Sequence, residues 1–291
     1  MVRFREAITV FLFQQDRESV WCDQIKYFSK HEPMSVVAVI PARYGSTRLP
    51  GKPLAMIGDK AMIQHVYENA CKAKVLDEVI VATDDHRIEQ AVKNFGGNVV
   101  TTSKNHASGT DRMAEVARKL KSADWLVNIQ GDLPFIRAQT IARAIRPLMN
   151  DRKIPMGTVC TTIYDMNEWH NPNVVKVLKD RAGFAIYFSR APIPFFRNSG
   201  IDLAGRNSTS SSNRRLWGYR HLGLYVYRRD FLLKFAVLRP TILEQIESLE
   251  QLRALQNGYR IYVAEVDEHP IEVDTPDDLK KAEHYLKNRI H

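Results

Sequence analysis

The chain has 291 residues, 44% of them hydrophobic and 26% charged, with a formal net charge of +9. This size and balance describe a folded globular protein and exclude a disordered or fibrous one, and no apolar run reaches the roughly eighteen residues of a membrane-spanning helix. Cys22, Cys71 and Cys160 are scattered without CxxC or zinc spacing, which excludes a disulfide framework and points to a reducing compartment, the cytoplasm.

Residues 1–33 differ in texture from the rest. An apolar stretch over 7–13 follows Arg3 and Arg5, as in a secretory leader. It runs straight into Gln14, Gln15, Asp16 and Arg17 with no small-residue cleavage site, which argues against one. Met34 directly precedes the first core strand, so 1–33 is expected to be an extension outside the functional fold. Alternation then begins. Strands are expected over 36–40, 78–82, 98–102 and 125–130, and helices over 61–72, 87–95 and 111–120. Gly96-Gly97 closes the second helix. Such alternation predicts a doubly wound, mostly parallel α/β sheet with ligands at the carboxyl ends of its strands.

The texture changes after about 155. Strands are expected over 157–162, 174–178, 184–189, 221–227 and 260–266, with a helix over 243–256 ended by Asn257-Gly258. A last helix begins at Pro276, with Thr275 as its N-cap. Between Asn198 and Asn213 lies a Ser-, Gly- and Asn-rich loop. The segment 181–229 holds nine arginines, no lysine and one acid, Asp202, so most of the net charge sits there. An anionic small substrate suits such a segment, and so does nucleic acid.

Three polar clusters fall at strand ends. The first, IPARYGSTRLPGKPL over 40–54, offers loop N–H groups with Arg43, Arg48 and Lys52, a cradle for a nucleoside triphosphate. It is not a P-loop. Five residues separate Gly45 from Gly51, and Pro53 stands where a magnesium-binding hydroxyl would follow the lysine. The second cluster is Thr83-Asp84-Asp85. The third is Gln130-Gly131-Asp132, whose carboxylate can hold a hard cation; Asp274 is a second candidate. The loop Ser108-Gly109-Thr110 opens a helix and can both cap it and touch a base or ribose. His221 and Tyr225 share one face of a strand, and Arg190 follows an aromatic strand.

The blocks IPARYGSTRLPGKPL, VATDD, SGTDR, VNIQGD, NPNVVKV, YFSRAPIP, HLGLYVY, LEQIESLEQLRAL and VDTPDDL occur in this order. From Met34 onward the chain resembles the 3-deoxy-manno-octulosonate cytidylyltransferases, or CMP-Kdo synthetases. The resemblance implies a nucleotide-diphospho-sugar transferase-like fold. Residues 34–155 would form a nucleotide-binding α/β region. Residues 156–291 would form a smaller α+β sugar-acid-binding and dimerisation region, its final helix packing back on the sheet. It implies transfer of CMP from CTP to the anomeric hydroxyl of Kdo, for lipopolysaccharide biosynthesis, by a cytoplasmic homodimer that uses Mg2+ and binds no nucleic acid.

Carried onto this sequence, Arg43, Lys52 and Asp132 are catalytic. Ala42, Arg43, Lys52, Thr83, Ser108, Gly109 and Thr110 bind CTP. Gln130, Arg190, His221, Tyr225, Glu250 and Gln251 bind the sugar acid, and Asp132 and Asp274 hold the metal. The sequence departs from the pattern at Leu133, where an acid is usual, at Asp111 for Glu, and at Glu272 for Gly. The 8-amino form of Kdo and sialate are alternative acceptors. A basic nucleic-acid-binding protein is the alternative of another class.

Overall fold

The computed structural model describes residues 34–45, 48–106, 108–198, 201, 203 and 215–290. The expectations for 1–33, for Ser46 and Thr47 of the first loop and for nearly all of the Ser-rich loop lie outside the described residues.

The first half folds around β1 (Val36–Ala42). A small hairpin follows, β2 (Met56–Ile57) and β3 (Lys60–Ala61), and then α1 (Met62–Cys71). β4 (Glu78–Thr83), α2 (His86–Asn94), β5 (Val99–Thr101), α3 (Gly109–Lys119) and β6 (Trp125–Asn128) complete the alternation. β1 pairs in parallel with β4 on one side and β6 on the other, and β4 pairs in parallel with β5. Chain order therefore reverses between β1 and β6, which opens a crevice at their carboxyl ends.

The second half extends the same sheet. After α4 (Ala138–Asn150) come β7 (Met156–Ile163), α5 (Met166–His170), β8 (Lys176–Lys179), β9 (Ala185–Ser189) and β10 (Gly218–Arg228). β10 runs antiparallel to β6, β7 and β8. The sheet order is β11-β7-β10-β6-β1-β4-β5, with β8 and β9 as a side ribbon. α6 (Arg229–Phe235), α7 (Ile242–Glu247), α8 (Gln251–Gln256), β11 (Ile261–Glu265) and α9 (Pro276–Ile290) follow. The sheet thus runs unbroken across residue 155, because β10 is seated directly on β6.

β1 is apolar on both faces, as a doubly covered parallel strand must be. Its Val36, Ala38 and Ile40 join Ile63 and Val66 of α1 and Ile141 and Ile145 of α4. Its Val37 and Val39 join Met113 and Val116 of α3, Phe231 and Phe235 of α6 and Leu252 of α8. A satellite core under α9 holds Ile57, Met62, Phe135, Val273 and Ala282. The last helix thus covers the small hairpin and the turn after β6. Among the described residues no helix is long and apolar enough to cross a membrane.

The single helix expected over 243–256 is two, α7 and α8. Ser248 between them has φ 52, in the left-handed region, and stops α7. No Gly or Pro marks the break. Tertiary contacts impose it: Arg190 donates from Nε to the Glu247 carbonyl at 2.8 Å and from Nη2 to the Ser248 carbonyl at 3.4 Å. A left-handed L-residue costs about 1–2 kcal/mol. Ser248→Gly is expected to raise stability by about 0.5–1 kcal/mol and Ser248→Val to lower it by about 1 kcal/mol or more. Urea midpoints check this; a destabilised glycine variant would contradict it.

Candidate active site

The loop after β1 is folded upon itself. Gly51 has φ +67 and lies so close to the Tyr44 ring that a Cβ would stand 3.2 Å from it. Arg87, held by Asp85 at 2.7 Å, lies over that ring. Arg43 donates from Nη2 to the carbonyls of His106 at 2.8 Å and Ser108 at 3.0 Å, so it joins the first loop to the loop that opens α3.

Lys52 sits at the start of a short 3-10 turn. Its Nζ donates to Asp132 Oδ2 at 2.7 Å and to Asp274 Oδ1 at 2.9 Å. Arg48 adds an ion pair to Asp274 at 3.1 Å. Burial pulls the Lys52 ammonium down, but the two carboxylates outweigh it and hold its pKa above the usual lysine value. Asp132 follows Gly131, where a Cβ would meet the Pro41 carbonyl at 3.3 Å. The Val273 N–H donates to the Asp132 carbonyl at 3.0 Å, which zips the two carboxylate-bearing segments together. Leu133, where the resemblance sets an acid, is 1% exposed and packs into the main core. Among the described residues no group of three or more His, Cys, Asp or Glu side chains is arranged to hold a metal. Asp132 and Asp274 form a pair close enough for one cation to bridge.

Ser108 caps α3 in a capping box with Asp111, as its position suggested. Thr110 is turned away from this cap: its hydroxyl donates to Glu250. Thr83 is fully buried; its Oγ1 accepts the Asp85 N–H at 3.2 Å and shapes the turn from beneath. Ala42 is likewise buried at the end of β1. Beneath both loops lies Arg112, 0% exposed, paired with Asp84 at 3.2 Å and donating to Thr102. It stands in the SGTDR block, but the sequence reading gave it no role.

The other polar pocket has a volume of about 130 Å³ and is lined by Gly109, Thr110, Asn128, Gln130, Tyr225, Tyr227, Glu250 and Gln251. It brings together four of the residues expected to bind the sugar acid. β10 carries a bulge between Leu222 and Tyr225, and the Gln130 side chain lies over Gly223 in that bulge. Burial raises the Glu250 carboxyl and the Tyr225 phenol above their usual values. Asn128 and Tyr227 also line this pocket; they stand in the VNIQGD and HLGLYVY blocks, but nothing in those blocks gave either a role. Each read only as an interior position of a strand.

His221 stands behind Tyr225, with ring centroids 5.2 Å apart, and its Nε2 shares a 3.0 Å hydrogen bond with Thr158. Arg190 lies at the α7–α8 break. Its guanidinium reaches the carbonyls of Glu247 and Ser248 and, at 3.1 Å, that of Pro172. Glu247 returns the clasp through its carboxylate, which accepts the Arg190 N–H at 2.9 Å and the Ser189 hydroxyl at 2.6 Å. Beside it, fully buried Lys176 spreads its ammonium over the carbonyls of Asn171, Val174 and Arg190 at 2.9, 2.6 and 2.6 Å. Three carbonyls satisfy the three ammonium donors of a buried lysine without any carboxylate.

The family model described as cytidylyltransferase matches residues 37–261. A 3-deoxy-manno-octulosonate cytidylyltransferase from Pelobacter propionicus is 54% identical over 249 residues, 86% of this chain and 96% of that protein. One from Geotalea daltonii is 53% identical over 256 residues, 88% of this chain and all of that protein. The solved structure of a CMP:2-keto-3-deoxy-manno-octonic acid synthetase complexed with CTP superposes with a TM-score of 0.79 at 42% identity, covering 88% of this chain and 99% of its own. A cytidylyltransferase from Leptospira borgpetersenii, TM-score 0.57 at 18% identity over 88% of this chain and 87% of its own, shares the fold.

Burial, with Arg220 alongside, lowers the His221 pKa to about 3. The unfolded value is about 6.5. Between these values only the unfolded chain takes up the proton, so this residue's contribution to stability falls as pH drops from about 6.5 towards 3. The slope is at most about 1.4 kcal/mol per pH unit. Between pH 6 and 5 the wild type is expected to lose about 1 kcal/mol more than His221→Gln in urea titrations. Parallel losses in the two proteins would contradict a neutral buried His221.

Proposed function

This chain belongs to the cytidylyltransferase family, and we propose that it transfers CMP from CTP to the anomeric hydroxyl of 3-deoxy-manno-octulosonate, releasing pyrophosphate. The observation that carries this reading is the convergence of Asp132, Asp274 and Lys52 at the carboxyl edge of the sheet, beside a pocket lined by amides, phenols and a carboxyl. One side suits a triphosphate and a cation, the other a polyol. The curated relatives, matched over almost their whole length, bear the name of this reaction.

In the reaction the anomeric oxygen forms a bond to the α-phosphorus, the bond from that phosphorus to the bridging oxygen breaks, and the hydroxyl proton is lost. The protein's part is positioning and charge neutralisation. Arg43 and Lys52 are assigned to the triphosphate; as pyrophosphate departs, they offset its growing charge. Ser108, Gly109 and the buried Ala42 and Thr83 shape the nucleotide side. Gln130, Tyr225, Glu250 and Gln251 are assigned to the sugar acid. His221 steadies Tyr225 from behind, and Arg190 holds the break from which Glu250 and Gln251 project.

Asp132 and Asp274 fit a magnesium ion, because two carboxylate oxygens lie within 2.9 Å of one cationic nitrogen. Mg2+ commonly takes only one or two carboxylates and completes its shell with substrate phosphates and water. When bound it would lower the pKa of the attacking hydroxyl and stabilise the leaving group. Lys52 would then turn from the carboxylates to the triphosphate.

The arginine-rich segment supports an enzyme over a nucleic-acid binder. Arg190 is spent on backbone carbonyls, Arg220 on Glu168 and Glu272, Arg228 on Asp230, and Arg229 on the Ala117 carbonyl. Exposed Ile186 and Phe195 in the second half suit a homodimer contact. A cytoplasmic setting agrees with the cysteine pattern.

Pyrophosphate release is to be measured for each nucleoside triphosphate with Kdo, its 8-amino form and sialate. CTP with Kdo is expected to dominate; preference for another pair would displace the reading. Asp132→Asn is expected to lower kcat at least about a hundredfold with an unchanged melting temperature, the scale of losing a charged stabilising group. Near-normal turnover at saturating Mg2+ would remove Asp132 from the metal site. Arg190→Lys cannot reproduce the fork, so the KM for the sugar acid should rise several-fold while that for CTP stays; the reverse pattern would reassign Arg190.

A further inference from the structure

We propose that Asn128 is a substrate-binding residue which, together with Gln251, reads one hydroxyl of the sugar-acid acceptor. The inference rests on the acceptor pocket assigned above and adds a residue to it.

Asn128 ends β6, paired with Val39 on one side and Tyr225 on the other. Its side chain shares a face with Leu126, which lies in the core under α3, α6 and α8. An apolar residue would suit that position. Asn128 is instead 3% exposed, and Gln251, at the start of α8, is 4% exposed. Asn128 Oδ1 and Gln251 Nε2 are both shielded from solvent, and neither has a hydrogen-bond partner among the described residues. Both side chains line the same small pocket. Buried amide atoms left unpaired are costly and rare, and two in one pocket mark a place where something else completes them.

Chemistry narrows what that is. The unpaired atoms are one acceptor, Oδ1, and one donor, Nε2. A carboxylate or phosphate oxygen accepts from Nε2 but has no proton for Oδ1. An ammonium donates to Oδ1 but cannot accept from Nε2. A hydroxyl does both. The remaining wall agrees: the Thr110 hydroxyl donates to Glu250, and Tyr225 and Tyr227, stacked on each other, complete it. The cavity, about 130 Å³, takes the edge of a polyol and not a nucleotide.

Steady-state kinetics test this with Asn128→Leu, which keeps volume and removes both polar atoms, and Asn128→Asp, which keeps an acceptor oxygen. Sites built to hydrogen-bond a substrate hydroxyl discriminate strongly when one partner is removed. Asn128→Leu is expected to raise the acceptor KM at least about tenfold with the CTP KM within about twofold, and Asn128→Asp to recover much of the loss. A panel of singly deoxygenated Kdo analogues adds a second readout. One of them is expected to give equal kcat/KM with wild type and Asn128→Leu. An unchanged acceptor KM, equal rises in both KM values, or a gap that no analogue closes would overturn the proposal. If Asn128→Leu does not fold, Asn128→Ala is read by the same criteria. A wild-type enzyme that makes no CMP-Kdo would instead refute the function proposed above. Normal wild-type turnover with an indifferent Asn128→Leu would refute this inference alone.

Discussion

The ammonium of Lys52, shared between Asp132 and Asp274, is the contact on which the organisation of the site depends. It joins three segments far apart in sequence: the loop after β1, the turn after β6 and the entry to α9. Each segment is also tied by its backbone or its packing. Gly131 lets the turn after β6 approach the Pro41 carbonyl, and the Val273 N–H donates to the Asp132 carbonyl. The doubly covered core of β1 supports this edge from both faces of the sheet.

The first half of the fold was legible because its signals are local. Apolar runs of strand length, helices with a single buried face and a cap such as Ser108 are each written in a few adjacent residues. The approach of Lys52 to Asp132 was legible because strand ends in such a sheet meet on one edge; Asp274, at the entry to α9, was placed with them by the resemblance. The helix break at Ser248 was not. Its cause is Arg190, 57 residues upstream of the Glu247 carbonyl it holds, and no local residue announces it. Asn128 and Tyr227 were hidden for a related reason: their role depends on α3 and α8 leaving a gap over one end of the sheet. The direction of Thr110, towards Glu250 instead of the nucleotide side, is set by α8 in the same way.

The departures from the family pattern find physical places too. Leu133 fills core volume. Glu272 receives Arg220, which also pairs with Glu168, so the segment leading to Asp274 is braced through a guanidinium. Asp111 completes the capping box with a shorter side chain than Glu would bring. Four arginines of the basic segment, Arg190, Arg220, Arg228 and Arg229, are held by partners within the fold, although by charge count alone the segment looked like a surface for polyanions. Formal charge measured along a sequence says little until its partners are known.

The knot formed by Lys176 and Arg190 gives the two halves of the site different responses to their surroundings. Every partner of the Lys176 ammonium is a backbone dipole, and the Arg190 side chain is held the same way. Dipoles cannot be protonated away in the working range, and mobile ions do not reach a fully buried ammonium to compete with them. The clasp of Lys52 and Arg48 on Asp274 is made of full charges at a partly open surface. One side of the crevice therefore behaves as a fixed mould, while the other is governed by the ionic atmosphere and yields to an incoming polyphosphate.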